Sequence, residues 1–359
     1  MVDSKQAPLD SAAAAKAAFA SVQDKPFPDD IFTAPELRWA VIGCGVIANQ
    51  MAQSLALAGR KLAGVANRTL SKAQAFAEQY GIEKVYESVE DLYADPGIDA
   101  VYITTPHNTH ITYLRDALAA GKHVLCEKAI TLNSAELDEA RAIADEHNVV
   151  LTDATTVLHM PLYQELRRRM DAGEFGRMNL AQLNFGSYKE YGDLTNRFYN
   201  RNLAGGAMLD IGVYALSVMR LFMASQPIEV VSLGNTCETG VDVAGGIVCR
   251  NAEQQLGVVS LTLHSKQPKR SIISFDKCYI EVNEYPRADH ATIVWTADGH
   301  REEVHAGTEA YALCYEMADL EKAVAGDDSK RELLGYASDV MELMTKLRAD
   351  WGVVYPEEE

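Results

Sequence analysis

From Leu37 onward, short apolar runs alternate with segments of helical period, and no other feature of the chain narrows its fold so far. The runs cover residues 39–42, 62–66, 100–103, 124–126 and 149–151. Between them Ala48, Met51, Ala52 and Leu55 recur at i, i+3, i+4 and i+7, and Ala73, Phe76, Ala77 and Tyr80 repeat the pattern. That spacing puts apolar groups on one face of a helix. Strand-helix-strand alternation calls for parallel strands with helices on both faces, and right-handed crossovers then give a doubly wound sheet. Asn133 with Glu136 three residues on forms a capping box opening a further helix, which feeds the run at 149–151.

After residue 155 the texture changes to strict period two. Ala181, Leu183 and Phe185 alternate with Gln182, Asn184 and Gly186, and Val259, Leu261 and Leu263 with Ser260, Thr262 and His264. Further strand-like runs at 229–233, 271–275, 279–282 and 292–295, with helices over 161–172, 310–324 and 331–348, predict an α/β domain built on a large open, mostly antiparallel sheet with one face against helices. With 359 residues the chain has room for two domains, placed at 37–155 and 156–359.

Residues 1–36 are Ala-rich, then Pro- and Asp-rich. The stretch at 11–22 can form a helix, but small apolar groups leave it marginal in water. It reads as an N-terminal arm, disordered in preference to docked on a neighbouring subunit. The 33 Lys+Arg against 51 Asp+Glu give a formal charge of −18, which repels phosphate backbone and anionic lipid and so argues against nucleic acid and membrane surfaces as partners. Six scattered cysteines without a Cys-x-x-Cys, no apolar run near the roughly 18 residues of a membrane span, and no leader pattern lead to the expectation of a cytoplasmic protein.

The first run ends in Gly43-Cys44-Gly45-Val46-Ile47-Ala48, a G-x-G-x-x-A between strand and helix. Gly43 allows the tight turn, Gly45 lets the backbone approach a pyrophosphate, and Ala48 lets helix and strand pack closely, while Val46 and Ile47 open the helix whose N-terminus attracts the anion. This context predicts dinucleotide binding. The second run ends in Asn67-Arg68-Thr69, where an NAD-binding protein usually carries an acid for the ribose 2′-hydroxyl. A guanidinium beside the Thr69 and Ser71 hydroxyls suits a 2′-phosphate instead, so NADP is preferred, with NAD open if Arg68 only faces solvent.

Two more runs end in Thr105-Pro106-His107-Asn108-Thr109-His110 and Glu127-Lys128-Ala129. In a doubly wound sheet these carboxyl ends converge on the ligand crevice. A Lys directly after a buried strand needs a task or a partner, and Glu127 could be that partner. Further on, Gly205-Gly206-Ala207-Met208-Leu209-Asp210-Ile211-Gly212-Val213-Tyr214, if helical from about Met208, presents Asp210 and Tyr214 at i and i+4 on one face.

The G-x-G-x-x-A start, the T-P-x-x-x-H loop, the E-K dipeptide and the G-G-x-x-x-D-x-x-x-Y segment, in this order, resemble the Gfo/Idh/MocA family, named from glucose-fructose oxidoreductase and inositol dehydrogenase. The resemblance spans about residues 37–350 and is strongest to the NADP-linked dihydrodiol and xylose dehydrogenase branch. It implies a Rossmann domain, a second domain whose open sheet makes homo-oligomer contacts, and hydride transfer at a carbon of a sugar, sugar-like ring or cyclic diol. By motif position it implies Lys128 as the catalytic lysine, Asp210 as the family's aspartate, Tyr214 at the His/Tyr proton-transfer position, and Thr105, Pro106, His107, His110 and Glu127 on the cofactor side. Two positions depart from the pattern: Ala129 stands where the family usually has proline, and His107 where it usually has asparagine, with Asn108 one place later.

The chemistry also follows from the residue types. Oxidising a secondary alcohol sends a hydride to the nicotinamide and a proton to a base. Free Lys titrates near 10.4 and Tyr near 10, so either must be lowered by about three pH units to act near neutrality. Burial and an oxidised nicotinamide both disfavour an ammonium, so a lowered Lys128 is expected against the reacting oxygen, with Tyr214 as proton donor and acceptor and Asp210 orienting. Which of the first two transfers the proton stays open. Tyr188, Arg197, Asn202 and His159 are candidates to read hydroxyls of a polyhydroxylated small molecule. His107-x-x-His110 lacks a third ligand in register, so no metal is expected. A dinucleotide-sensing regulatory protein and a glycosidase that oxidises transiently are the rival readings; presence of Lys128, Asp210 and Tyr214 together favours the oxidoreductase.

Overall fold

A computed structural model describes residues 11–22 and 25–359; the part of the arm at 1–10 lies outside the described residues. The chain opens with α1 (Ser11–Val22), then runs β1 (Trp39–Ile42), α2 (Val46–Leu57), β2 (Gly64–Ala66), α3 (Leu70–Tyr80), β3 (Lys84–Tyr86), α4 (Val89–Ala94), β4 (Ala100–Ile103), α5 (His110–Ala119), β5 (His123–Cys126), α6 (Ser134–Glu146) and β6 (Leu151–Asp153). These six strands form one sheet in the order β3-β2-β1-β4-β5-β6, with every neighbour parallel. All four residues of β1 and of β4 are buried, as continuous apolar runs covered on both faces must be. The stripe Ala48, Met51, Ala52 and Leu55 of α2 is the buried one, as its period requires. At α6 the Asn133 side chain accepts from the Glu136 N–H, and the Glu136 carboxylate accepts from the Leu132 N–H.

The second half contains α7 (Pro161–Asp171), β7 (Met178–Gly186), α8 (Val213–Phe222), β8 (Pro227–Thr236), β9 (Asp242–Asn251), β10 (Leu256–Thr262), β11 (Gln267–Phe275), β12 (Cys278–Asn283), β13 (His290–Trp295), β14 (Arg301–His305), α9 (Ala312–Val324), α10 (Asp328–Arg331) and α11 (Leu333–Asp350). Its eight strands lie in the order β14-β13-β12-β11-β7-β10-β9-β8, antiparallel except for the pair β7 and β10. Ala181, Leu183 and Phe185 face the core with Val259 and Leu261, beneath the buried side of α8. The expected fold class is therefore the observed one. The opposite sheet face leaves Leu233 83% exposed.

The structure corrects several expectations. Helix α1 is packed on its own chain: Val22 is buried, Ala18 and Phe19 lie against the core, and Phe27 stacks edge-on against Tyr311 at 5.0 Å. Phe19 and Val22 supply the large apolar surface that the run of alanines obscures. The segment 201–222 is long and apolar enough by composition to span a membrane, with 83% of its window buried inside the protein; its apolarity serves the core. Strands β3, β9 and β14 have no apolar signature, because β9 carries Ala244-Gly245-Gly246 at its centre and β14 is charged. Trp351 fills the space left by Gly245 and by Gly234 of β8: a Cβ at either would collide with its ring, and its indole N–H donates to Ser232 Oγ at 3.0 Å.

One packing relation ties the halves together. Leu313, Met317, Leu320 and Ala323 of α9 share a core with Trp39, Val41, Met51 and Leu55 of the first sheet and its helix. Glu321 on α9 accepts from the Trp39 indole at 3.0 Å and from both terminal nitrogens of Arg60 at 2.6 and 3.1 Å.

Candidate active site

The crevice opens at the carboxyl ends of β1, β4 and β5. Gly43 has φ +103°, and a Cβ there would press on Thr104, so the turn requires glycine. At Gly45, which precedes the first turn of α2, nothing lies within 4 Å of where a Cβ would be, and Val46 beside it is 65% exposed. An approach to the helix N-terminus is thus open, the geometry a pyrophosphate needs. Ala48 is fully buried against the sheet. At the end of β2, Asn67 Nδ2 donates to Thr69 O at 3.0 Å, and Arg68 is exposed, with no ion pair among the described residues.

The loop after β4 is braced from within. Thr109 Oγ1 lies 2.7 Å from Pro106 O and 2.8 Å from Thr105 Oγ1, so its one proton serves one of them while the other Oγ1 can donate back. The buried His110 ring has Nε2 2.8 Å from Thr105 O and Nδ1 3.0 Å from Ala129 O. Both its nitrogens therefore face backbone oxygens, one in this loop and one after β5, and the ring is fully buried, which corrects its assignment as a direct cofactor contact. His107 reaches Lys128 O with Nε2 at 3.1 Å and Ala204 O with Nδ1 at 3.3 Å, joining this loop to the Gly-Gly segment. Burial, then the neighbouring His110 and Lys128, pull the His107 imidazole down to about 3, so it is neutral at working pH. A neutral ring carries one N–H, so only one of those two carbonyls receives a hydrogen bond. Among the described residues no group of three His, Cys, Asp or Glu is placed to hold a metal ion.

Lys128 follows β5, and its peptide bond to Ala129 is cis. Its ammonium donates to Asp210 O at 2.8 Å, lies 3.6 Å from Asp210 Oδ1, and sits 4.7 Å from the centre of the Tyr214 ring. The three residues expected to act together do meet. Glu127 turns the other way and accepts from the Tyr102 hydroxyl, so Lys128 is paired with Asp210 and not with Glu127. Asp210 and Tyr214 straddle a junction: Met208–Gly212 forms a π-helical turn that runs straight into α8. Such a turn holds an extra residue and is frequent at functional sites.

The charges settle in an order the sequence alone does not show. Burial would raise the Asp210 carboxyl, and Lys128, Arg197 and Lys189 outweigh it and hold it at about 2. Burial would lower the Lys128 ammonium, but Tyr214 and Asp210 outweigh it and the net direction is upward, against the expectation of a lowered lysine. Burial raises the Tyr214 phenol, with Lys128 opposing in part. The chain's own groups therefore assemble an ammonium, a carboxylate and a neutral phenol.

On the substrate side Tyr188 is exposed, and Arg197 Nη2 lies 3.5 Å from Asp210 Oδ1. Asn202 is exposed, and its carbonyl accepts from Asn108 Nδ2 at 3.2 Å. His159 is a correction: it is buried, with Nδ1 3.0 Å from Asp319 Oδ2 and Nε2 2.8 Å from Asp153 O, so neither nitrogen is left for a substrate hydroxyl.

The sequence pattern gives no hint of what holds the π-helical turn. Buried Asp242, at the start of β9, accepts from Met208 N at 2.6 Å, and the buried Tyr355 hydroxyl donates to Gly205 O at 2.7 Å. Glu357 accepts from Asn108 Nδ2 at 2.7 Å, so the last residues clasp both loops of the site. Burial, partly offset by the Met208 N–H, pushes the Asp242 carboxyl up to about 6. Between the ordinary Asp value near 4 and about 6 the unfolded chain is ionised while the folded one keeps the proton, so this group's stabilising contribution is present below that window and is lost as pH rises through it. Asp242→Asn is expected to remove that slope, measured as the difference between variant and wild-type stability from pH 4 to 7; an unchanged slope counts against it.

The comparisons with known proteins follow the same geometry. Residues 37–155 match a family model described as an oxidoreductase family with NAD-binding Rossmann fold, and 163–281 match the GFO/IDH/MocA C-terminal domain. The chain is 32% identical to trans-1,2-dihydrobenzene-1,2-diol dehydrogenase of Mus musculus over 254 residues, 69% of this chain and 75% of the relative. To the Sus scrofa protein of the same name it is 28% identical over 340 residues, 90% of this chain and 99% of the relative. Among solved structures it is similar to KijD10, a 3-ketoreductase from Actinomadura kijaniata in complex with NADP and TDP-benzene, with TM-score 0.75 at 24% identity, covering 88% of this chain and 98% of that one. It is also similar to levoglucosan dehydrogenase in complex with NADH and levoglucosan, with TM-score 0.75 at 19% identity, covering 86% and 97%. At these identities the two likenesses bear on the fold.

Proposed function

Since the chain belongs to the Gfo/Idh/MocA family of NAD(P)-dependent oxidoreductases, we propose that Lys128 and Tyr214 are the acid-base pair for hydride transfer between nicotinamide and a secondary alcohol or carbonyl of a sugar, sugar-like ring or cyclic diol. The observation that carries this reading is the Lys128 ammonium set between Asp210 and the Tyr214 ring at the end of β5. When bound, the nicotinamide supplies or accepts the hydride at C4 and, oxidised, adds a positive charge to the site. An ammonium has three N–H donors, and with Asp210 O and Oδ1 as neighbours Lys128 keeps one for a substrate oxygen. Asp210, held ionised, aims the ammonium and keeps it charged, so in the reducing direction Lys128 can give its proton to a developing alkoxide. In the oxidising direction the added positive charge works against the ammonium, restoring the driving force that the chain's own carboxylate removes. Tyr214, whose ring centre lies 4.7 Å from the ammonium, is the group we assign to pass that proton on.

We further infer that the coenzyme is NADP(H), because an exposed Arg68, without an ion pair among the described residues, stands at the end of β2 where an acid would repel a 2′-phosphate. Arg68→Ala is expected to weaken NADP binding by about 10-fold or more, the worth of a charge-assisted contact, with NAD binding little changed. Calorimetric titration with both coenzymes checks this, and absorbance at 340 nm with a panel of sugars and cyclic diols checks the reaction. Coenzyme binding without turnover of any ring alcohol or ketone would reject the catalytic reading.

A further inference from the structure

Between β7 and the Gly-Gly segment the chain makes a long excursion over the mouth of the site. On it Phe198 carries two cations: the Arg197 guanidinium carbon and Lys189 Nζ each lie 4.1 Å from the ring centre. A ring quadrupole holds such groups in place without neutralising them. Arg197 Nη2 is 3.5 Å from Asp210 Oδ1, and Lys128 Nζ is 3.6 Å from the same oxygen. One carboxylate thus faces two cations, and both separations are longer than the roughly 2.7–2.9 Å of a closed charge-assisted bond. The Arg197 side chain is 59% exposed and has no other hydrogen bond among the described residues. Of its five N–H donors only one is turned to Asp210. Around the Asp210 carboxylate two cations therefore face one anion, in a protein whose formal charge is −18. A positive spot on a negative surface concentrates anions where they are needed and repels them elsewhere.

We infer that the substrate is a small hydroxylated ring bearing an oxyanion, a carboxylate or a phosphate, which Arg197 receives while the alcohol or carbonyl carbon meets Lys128. This rests on the reading of Lys128 and Asp210 as the reaction centre, and names the substrate class that centre takes. The guanidinium fork matches both oxyanions with two parallel N–H···O bonds, which a neutral ring hydroxyl cannot receive in the same way. Lys128 and Arg197 share one acceptor oxygen, so their heads are close enough for one sugar acid or sugar phosphate to touch both.

The test uses the full chain loaded with NADPH, titrated calorimetrically with D-glucose, D-glucuronate and D-glucose 6-phosphate. At least one anion is expected to bind tenfold or more tightly than glucose, and which one separates carboxylate from phosphate. In Arg197→Ala that advantage, taken as the ratio to glucose in the same variant, is expected to fall to threefold or less; Arg197→Lys is expected to recover part of it, and added salt to erode it. If Arg197 only steadied Asp210, neutral and anionic ligands would weaken together, and that outcome overturns the inference. So does an anion advantage below tenfold in the wild type, absence of binding included, or one undiminished in Arg197→Ala. An Arg197-dependent preference without hydride transfer to any compound would reject the catalytic reading and leave this one standing. Turnover with no anion preference would do the reverse.

Discussion

Lys128→Ala is expected to lower kcat by about 100-fold or more while coenzyme binding persists, because positioned acid-base groups contribute on that scale. The variant removes the donor to Asp210 O and the strongest of the charges that oppose burial at the Asp210 carboxyl. Arg197 and Lys189 remain to oppose burial at that carboxylate. The loss should therefore appear in kcat and not as a collapse of the site. Tyr214→Phe separates the two roles: if the phenol passes the proton, the pH profile of kcat changes with it, and if it only packs over the ammonium, the profile keeps its shape. Single-turnover measurements with NADPH and a reducible ring ketone read the step directly. A Lys128→Ala rate within about tenfold of wild type would remove the lysine from the chemistry.

The largest loss of stability is expected at Arg348. Its side chain is 2% exposed and lies under the tail, with Nη2 2.6 Å from Leu132 O and 2.7 Å from Glu358 Oε1, Nη1 2.9 Å from Glu358 Oε2, and its guanidinium 4.6 Å from the Tyr355 ring centre. Removing one partner of a buried pair leaves the other charge without compensation, at about 3–5 kcal/mol. Arg348→Ala should fall in that range by denaturant unfolding, and a double-mutant cycle with Glu358→Gln should show strong coupling. Burial would raise the Glu358 carboxyl, but Arg348 and the Tyr355 N–H overcome it and hold it below the usual glutamate range. Its contribution is thus complete above the ordinary glutamate value and lost as pH falls through the lowered one, so the Arg348→Ala penalty should shrink on acidification. A change under about 1 kcal/mol at pH 7 would mean that the pair offsets little more than its own desolvation.

What the sequence shows and hides divides along a physical line. Local periodicity and the G-x-G-x-x-A turn depend on neighbours in the chain, and they mark α2, α3 and every strand of the first sheet but the short, half-exposed β3. Lys128 is legible because an ammonium directly after a buried strand is unusual, and Asp210 and Tyr214 because their i, i+4 spacing sets a carboxylate beside a phenol on one helical face. His159 misleads for the same reason, since a polar ring after a strand looks alike whether it faces a ligand or, as here, Asp319 and Asp153. The direction of the Lys128 shift is set by groups more than 80 positions away, which no pattern in the 127–129 stretch records. Asp242, Tyr355 and Glu357 are ordinary letters at distant positions, and only the fold brings them to the Gly-Gly segment and the loop after β4.

The sharing of α9 with the first sheet governs how the molecule can be made. Residues 37–155 read as a self-sufficient unit, yet the apolar side of that unit is closed by Leu313, Met317 and Leu320. Each such side chain withdraws about 1.5–3 kcal/mol worth of surface from water. On the ribosome, the nucleotide-binding half waits bare-sided until synthesis has passed residue 324. Its maturation is coupled to synthesis of the second sheet and of α9.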